Sequence, residues 1–158
     1  MTKCNTEKMR NDRFPDAERT LGALLRRPYE RMSAWLYAEL ARRGHPDVRV
    51  AHSAVLRNIA ASGSRVTELA ARAGMAKQSM AYLVDQLESF GYLEIGPDPH
   101  DRRARLVRLT PRGEALVREA VRLSGRYERR LAELVGAERI AQLRETLETI
   151  CDRLDSVD

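Results

Sequence analysis

A chain of 158 residues, 43% hydrophobic and 32% charged, has the make-up of one soluble, helix-rich domain with a real core and excludes a disordered chain. No apolar run approaches the roughly 18 residues of a membrane span, and the polar N-terminus is unlike a signal peptide, so a cytoplasmic protein without a membrane partner is expected. A net charge of +5 and a pI of about 9.6 favour a polyanionic partner without naming one.

In chain order, residues 1–15 mix Lys, Arg, Asn, Asp and Glu without periodicity and read as a flexible tail. Cys4 lies in this tail and Cys151 near the other end; two thiols so placed make no disulfide framework, and no Cys/His cluster suggests zinc. Cys4 lies very near the terminus, without a visible activating neighbourhood for a redox sensor. A first helix is expected over residues 20–43, with Leu21, Leu24, Leu25, Met32, Trp35, Leu36 and Leu40 on a broad apolar face. Pro28 lies inside it and should kink or split it, and Gly44 closes it. A second helix over residues 46–60 should turn Val48, Ala51, Val55 and Ile59 inward, and residues 61–64 form a loop.

Residues 66–110 are the stretch around which the chain is organised. Val66, Leu69, Ala70 and Ala73 make one helical stripe, and Met80, Leu83, Val84 and Leu87 repeat the spacing. Gly74 stands where a left-handed turn ends the first of these helices. Helix, glycine turn, helix is the helix-turn-helix pattern, whose second helix lies in the DNA major groove with its first residues at base edges. Here those residues are Lys77, Gln78 and Ser79, with Tyr82 one turn on, all off the apolar stripe. Gln pairs bidentately with adenine, Lys donates to guanine or phosphate, and Ser suits either; the plainer reading is a solvated polar face. Residues 92–95 and 105–109 read as paired strands, with a turn-rich loop over 96–101 between them. Arg102, Arg103, Arg105, Arg108 and Arg112 make the tip and return strand basic, as a wing reaching phosphates or a minor groove would be.

Beyond the wing, Thr110-Pro111 is a helix start, a capping hydroxyl followed by proline. That helix should run to about Val135, with Gly136 breaking it. The last helix carries Ile140, Leu143, Leu147, Ile150 and Leu154 in a 3-4 alternation. Two arrangements cover this seam and the wide face of the first helix: an intramolecular three-helix cluster, or a second copy of the chain.

The sequence Asp101-Arg102-Arg103, alternating apolar residues and then Leu109-Thr110-Pro111-Arg112-Gly113 resembles the wing of the MarR family of bacterial transcriptional regulators. Glu68-Leu69-Ala70, Ala73-Gly74-Met75, the run from Leu83 to Glu88, and Gly91-Tyr92-Leu93 are similar to that family's helix-turn-helix and strand entry. The resemblance covers about half the chain strongly. It implies a mainly α (α+β) winged helix-turn-helix fold with N- and C-terminal dimerisation helices, organised as one domain. Residues 46–110 would be the DNA-binding core and residues 16–43 and 111–155 the dimerisation helices. It implies a repressor that binds a near-palindromic operator in double-stranded DNA as a homodimer, its recognition helices about 34 Å apart. Arg103 would enter the minor groove, held by Asp101 through a charge-assisted hydrogen bond. A small aromatic or acidic effector would bind between the dimerisation helices and the winged core, where Tyr29, Trp35, Tyr37 and His52 are candidate lining residues; Trp35 also suits a plain core position, and His52 a satisfied or exposed side chain. Ala76 departs from the family's usual Ser or Thr there and forgoes a helix cap.

An enzyme is not expected, nor a cofactor or metal. His45, His52 and His100 are isolated, and there is no HExxH pair, GxSxG, P-loop or GxGxxG. Asp98 and Asp101 flank His100 on a hairpin tip rather than in a cleft. The alternative is a winged-helix protein-interaction module without a specific DNA target, against which the five wing arginines argue.

Overall fold

The computed structural model of the chain describes residues 16–98 and 101–156, including every side chain except those of Asp101, Arg102, Arg103 and Asp155. The expected tail, with Cys4, lies outside the described residues, as does His100. Among the described residues, six helices and one two-stranded sheet follow in the order α1 (Leu21–Arg42), α2 (Ser53–Leu56), α3 (Val66–Arg72), α4 (Lys77–Ser89), β1 (Leu93–Asp98), β2 (Asp101–Leu109), α5 (Pro111–Val135) and α6 (Ala137–Asp155). This is a mainly α winged helix-turn-helix. No described helix is long and apolar enough to cross a membrane.

Thr20 caps α1 by accepting from the Ala23 amide at 3.3 Å. The expected break at Pro28 does not divide the helix, which runs on as one element for 22 residues. Pro28 and Leu24, whose carbonyl loses its partner, are both exposed, so the lost bond leaves no polar group stranded in the core.

The second helix is shorter than its apolar pattern implied. A 3-10 turn over Val50–His52 leads into the four residues of α2. The Asn58 side chain donates to the Ala54 carbonyl at 2.7 Å, and this local bond competes with helix continuation. The tighter first turn also rotates the inward face: His52 is buried and Ala51 exposed, the reverse of the expectation, while Val48 and Val55 are buried as read.

The wing strands are longer than expected. β1 continues through Gly96 and Pro97 to Asp98, and β2 begins at Asp101, so the predicted 96–101 loop is mostly strand. The antiparallel register pairs Leu93 with Leu109 and Ile95 with Val107, and it slips between Pro97 and Asp98. Proline is tolerated because β1 lies at a sheet edge. A further bridge joins Ser64 to Val107 through two backbone bonds of 3.0 and 2.9 Å. It ties the root of the wing to the loop before α3.

One core gathers Leu40 from α1, Val55 from α2, Leu69 from α3, Met80 and Val84 from α4, and Leu116 and Leu123 from α5. Trp35 stacks on Tyr127 of α5 with ring centroids 5.1 Å apart. By contrast α6 buries none of its described residues, and Leu143 and Leu154 are 50% and 63% exposed.

Tyr92 joins the layers. Thr110 caps α5 by accepting from the Gly113 amide at 3.1 Å and donates its hydroxyl to the Gly91 carbonyl at 2.7 Å. This draws the start of α5 onto the Tyr92 backbone so closely that a Cβ on Gly113 would lie 2.1 Å from the Tyr92 carbonyl oxygen. The Leu-Thr-x-x-Gly motif therefore has a steric cause. At the other end of Tyr92, Arg112 donates to the phenol oxygen at 3.2 Å and stacks over the ring at 4.5 Å. Arg112 has only donors, so the phenol proton is free to go to His45 Nδ1, 3.0 Å away. His45 is thereby held neutral. Burial, and then the Arg112 charge, push its pKa below the ordinary 6.5.

Two outcomes are expected. Gly113→Ala should destabilise by about 3 kcal/mol, the upper end for overpacking, because the clash is with backbone; the melting temperature should fall by roughly 6–12 °C. A melt within about 2 °C of the parent would contradict the close approach. The depressed His45 pKa means the unfolded chain takes up the proton first, so this contribution to stability is present above pH 6.5 and is lost as pH falls below it. Melts at neutral and mildly acidic pH should show His45→Gln losing less stability over that interval than the parent.

Candidate nucleic-acid interface

The placement of α4 is set by the turn before it. Leu69, Ala70, Met80, Val84 and Leu87 bury facing stripes of α3 and α4, while Gly74, at φ +60°, lets the chain reverse between them. The Met75 amide reaches back to the Ala70 carbonyl at 2.9 Å, closing α3 with the paired bonds of a Schellman cap. Packing one face fixes the other. Lys77, Gln78 and Ser79 are exposed on the first turn of α4, and Tyr82, 64% exposed, stands one turn along. Ala76 at the N-cap forms no side-chain cap.

The wing stands beside this helix. Arg105 is exposed and donates to the Ile95 carbonyl at 3.4 Å across the ribbon, and Arg108 lies against Gly63 and Gly96. The backbone of Arg102 and Arg103 belongs to the tip-proximal end of β2; their side chains and that of Asp101 lie outside the described residues. Arg112, counted with the wing in the sequence, turns inward instead, to the Phe90 carbonyl at 3.1 Å and the Tyr92 ring.

Sequence reasoning missed what holds the wing. Asp98, which is buried, accepts from Arg65 Nη2 at 2.6 Å and Nε at 3.1 Å. Arg65 is the N-cap residue of α3, and its amide donates to Glu68 at 3.1 Å. A lone Asp in a turn-like Gly-Pro-Asp run carries no signal of a partner 33 residues away.

A second concavity, a cavity of about 400 Å³, opens between α1, α2 and α5. Tyr29 and Tyr37 line it with Ser33, Ser53, Arg57 and Ala120. Burial pushes the Tyr37 phenol pKa up, against the hydrogen bond to Ser53. The structure does not bring Trp35 and His52 into this lining: Trp35 packs on Tyr127, and His52 is buried on the far side of its turn, bonded to Gln86. Among the described residues no group of His, Cys, Asp and Glu is arranged to hold a metal ion.

A model described as the MarR family matches residues 47–104, from the α2 turn into the wing. The reduced form of MarR from E. coli is similar with a TM-score of 0.72 and 26% identity, over 83% of this chain and 96% of that one. The transcriptional repressor CouR bound to a 23-mer DNA duplex is similar with a TM-score of 0.65 and 28% identity, over 87% and 96%. CouR from Rhodococcus jostii RHA1 bound to p-coumaroyl-CoA is similar with a TM-score of 0.62 and 29% identity, over 82% and 90%. No curated protein matches the sequence.

The Arg65–Asp98 pair generates its own expectation. Asp98→Ala should cost roughly 1–2 kcal/mol, since Arg65 stays partly solvated, and should speed amide hydrogen exchange through residues 93–109. Unchanged exchange there would mean the ribbon is positioned without this pair.

Proposed function

We propose that this chain, like the MarR family regulators it is similar to, is a transcriptional regulator of the winged helix-turn-helix class, and that it is a repressor binding a near-palindromic operator as a homodimer. The observation that carries the reading is the outward face of α4, where Lys77, Gln78, Ser79 and Tyr82 are exposed beside a basic ribbon. Gln78 reads a base edge, with adenine its natural bidentate partner; Lys77 and Ser79 bind base or phosphate, and Tyr82 adds a hydroxyl one turn along. Arg102, Arg103 and Arg105 follow the backbone into the adjacent minor groove, with Asp101 supporting Arg103. Residues 46–110 form the DNA-binding core.

Residues 16–43 and 111–155 join two copies. Support comes from the apolar surface one chain leaves uncovered: Leu21 is 68% exposed, Leu134 77% and Leu154 63%. A two-fold pair would set two copies of α4 one DNA turn apart, about 34 Å. The effector reading places a small aromatic or acidic ligand in the cavity between α1, α2 and α5. Tyr29 and Tyr37 offer aromatic walls there, and Arg57 a cation for an acidic group.

The test is a titration of the protein against the promoter region beside its own gene, read as a gel shift at two salt concentrations. A discrete complex of two chains per site is expected, losing roughly a thousandfold or more in affinity between 50 and 200 mM salt if six or more phosphates are contacted. Gln78→Ala should relax preference at one operator position by roughly 1–3 kcal/mol. Binding that any competitor DNA removes equally would leave a basic surface without a specific target and favour the protein-interaction module.

A further inference from the structure

The reading helix is wired to a buried histidine. Three hydrogen bonds run from the backbone before α2 to the surface of α4: the Arg49 amide to His52 Nδ1 at 3.0 Å, His52 Nε2 to Gln86 Oε1 at 3.1 Å, and Gln86 Nε2 to the Tyr82 phenol oxygen at 3.1 Å. His52 is 2% exposed at one end and Tyr82 64% exposed at the other.

The chemistry of each group fixes the direction of the whole chain. A backbone N–H can only donate, so His52 Nδ1 accepts and carries no proton. The neutral imidazole then has its proton on Nε2 and donates it to Gln86. That pins the amide with its oxygen toward His52 and its NH₂ toward Tyr82. An amide NH₂ can only donate, so the phenol oxygen accepts, and the tyrosine's own proton is left to point away from the helix. A free surface tyrosine presents donor or acceptor as its neighbour requires. This one is committed.

We propose that His52 and Gln86 are positioning residues that hold Tyr82 as a hydrogen-bond donor toward DNA. Tyr82 would then engage an acceptor, either a phosphate oxygen or the N7, O6 or O4 edge of a base. It would disfavour a site that puts the exocyclic amine of adenine or cytosine in its path. The inference rests on α4 being the DNA-reading helix.

The experiment is a double-mutant cycle on the full-length protein, read by fluorescence anisotropy with its operator. Tyr82→Phe should weaken binding about tenfold or more, the effect of one hydrogen bond to a charged or well-aligned acceptor. Gln86→Leu should weaken binding about threefold or more with Tyr82 present and hardly at all in the Tyr82→Phe background, because it acts only through the phenol. Gln86→Glu is the sharper variant. A carboxylate still accepts from His52 but also accepts the phenol proton, which turns Tyr82 around. Its loss in the Tyr82→Phe background measures charge repulsion alone, and the extra loss with Tyr82 present reports the reversal. In the free protein the ¹⁵N shifts of His52 should show Nε2 protonated and Nδ1 bare.

Equal losses from Gln86→Leu and Gln86→Glu in both backgrounds, or a His52 protonated on Nδ1, would overturn the proposal. If Gln78→Ala weakens operator binding while Tyr82→Phe does not, the donor role of Tyr82 falls and the regulator reading stands. If neither variant changes binding, α4 is not the reading helix and both fall. Operators altered base by base separate the two acceptor sources: a phosphate contact is lost evenly across sequences, a base contact at one position.

Discussion

Tyr92 is the residue on which the other parts of this fold converge. Its carbonyl accepts from the Thr110 amide and excludes any side chain at residue 113. Its hydroxyl lies between His45, in the loop after α1, and Arg112, in the first turn of α5. Four segments therefore meet on one fully buried residue, through its backbone and its side chain: the end of α4, the entry to the wing, the start of α5 and the loop leading to α2. A helix-turn-helix reads DNA only if the angle between its second helix and the wing is fixed. Here that angle is set within three residues of the end of α4, by backbone contact rather than by a flexible side chain. A long polar linker at this point would let the ribbon and α4 move independently.

The wing is held at both ends by different physics. At its root, Ser64 pairs with Val107 through backbone bonds and Ser64 is completely buried, so that end is as rigid as the core. Near its tip the anchor is ionic, Asp98 with Arg65, and partly open to solvent. Anchoring both ends to the segment just before α3 makes the ribbon and the helix-turn-helix one body. Arg105 and the backbone of Arg102 and Arg103 then project from a fixed frame, so less conformational entropy is lost when the basic side chains meet a polyanion.

Much of this was legible in the residues. The stripes of α3 and α4, the left-handed Gly74, the Thr110-Pro111 helix start and the break at Gly136 are local signals, each with one steric or hydrogen-bonding cause, and each lies where it was read. The exposed face of α4 followed because burying one stripe dictates the other. What was not legible depends on partners distant in sequence. Nothing local marks Ser64 as a strand partner of Val107, or Asp98 as the partner of Arg65. The run from Val48 to Ile59 has helical spacing, yet the 3-10 turn rotates it so that His52 faces inward where Ala51 was expected. Pro28 carried a strong local rule, but its exposed position leaves no buried polar group unpaired, and α1 is not split there.

Counting arginines shows most clearly where composition stops being informative. All five in the wing segment were read as one basic surface. Arg112 spends its donors on the Phe90 carbonyl and the Tyr92 hydroxyl, and elsewhere Arg72 donates to the Asn58 carbonyl and Ser64. These guanidiniums close helix ends and loops, which their five donors in a rigid fork suit. Their charge still adds to the long-range field that would draw a polyanion in, but some of their donors are already spent inside the fold. What composition counts as one basic surface is thus partly spent inside the fold. The same economy governs the short turn before α3. His52 points from it toward Gln86 on α4, while Ser53, the next residue, lines the cavity against α1 and α5.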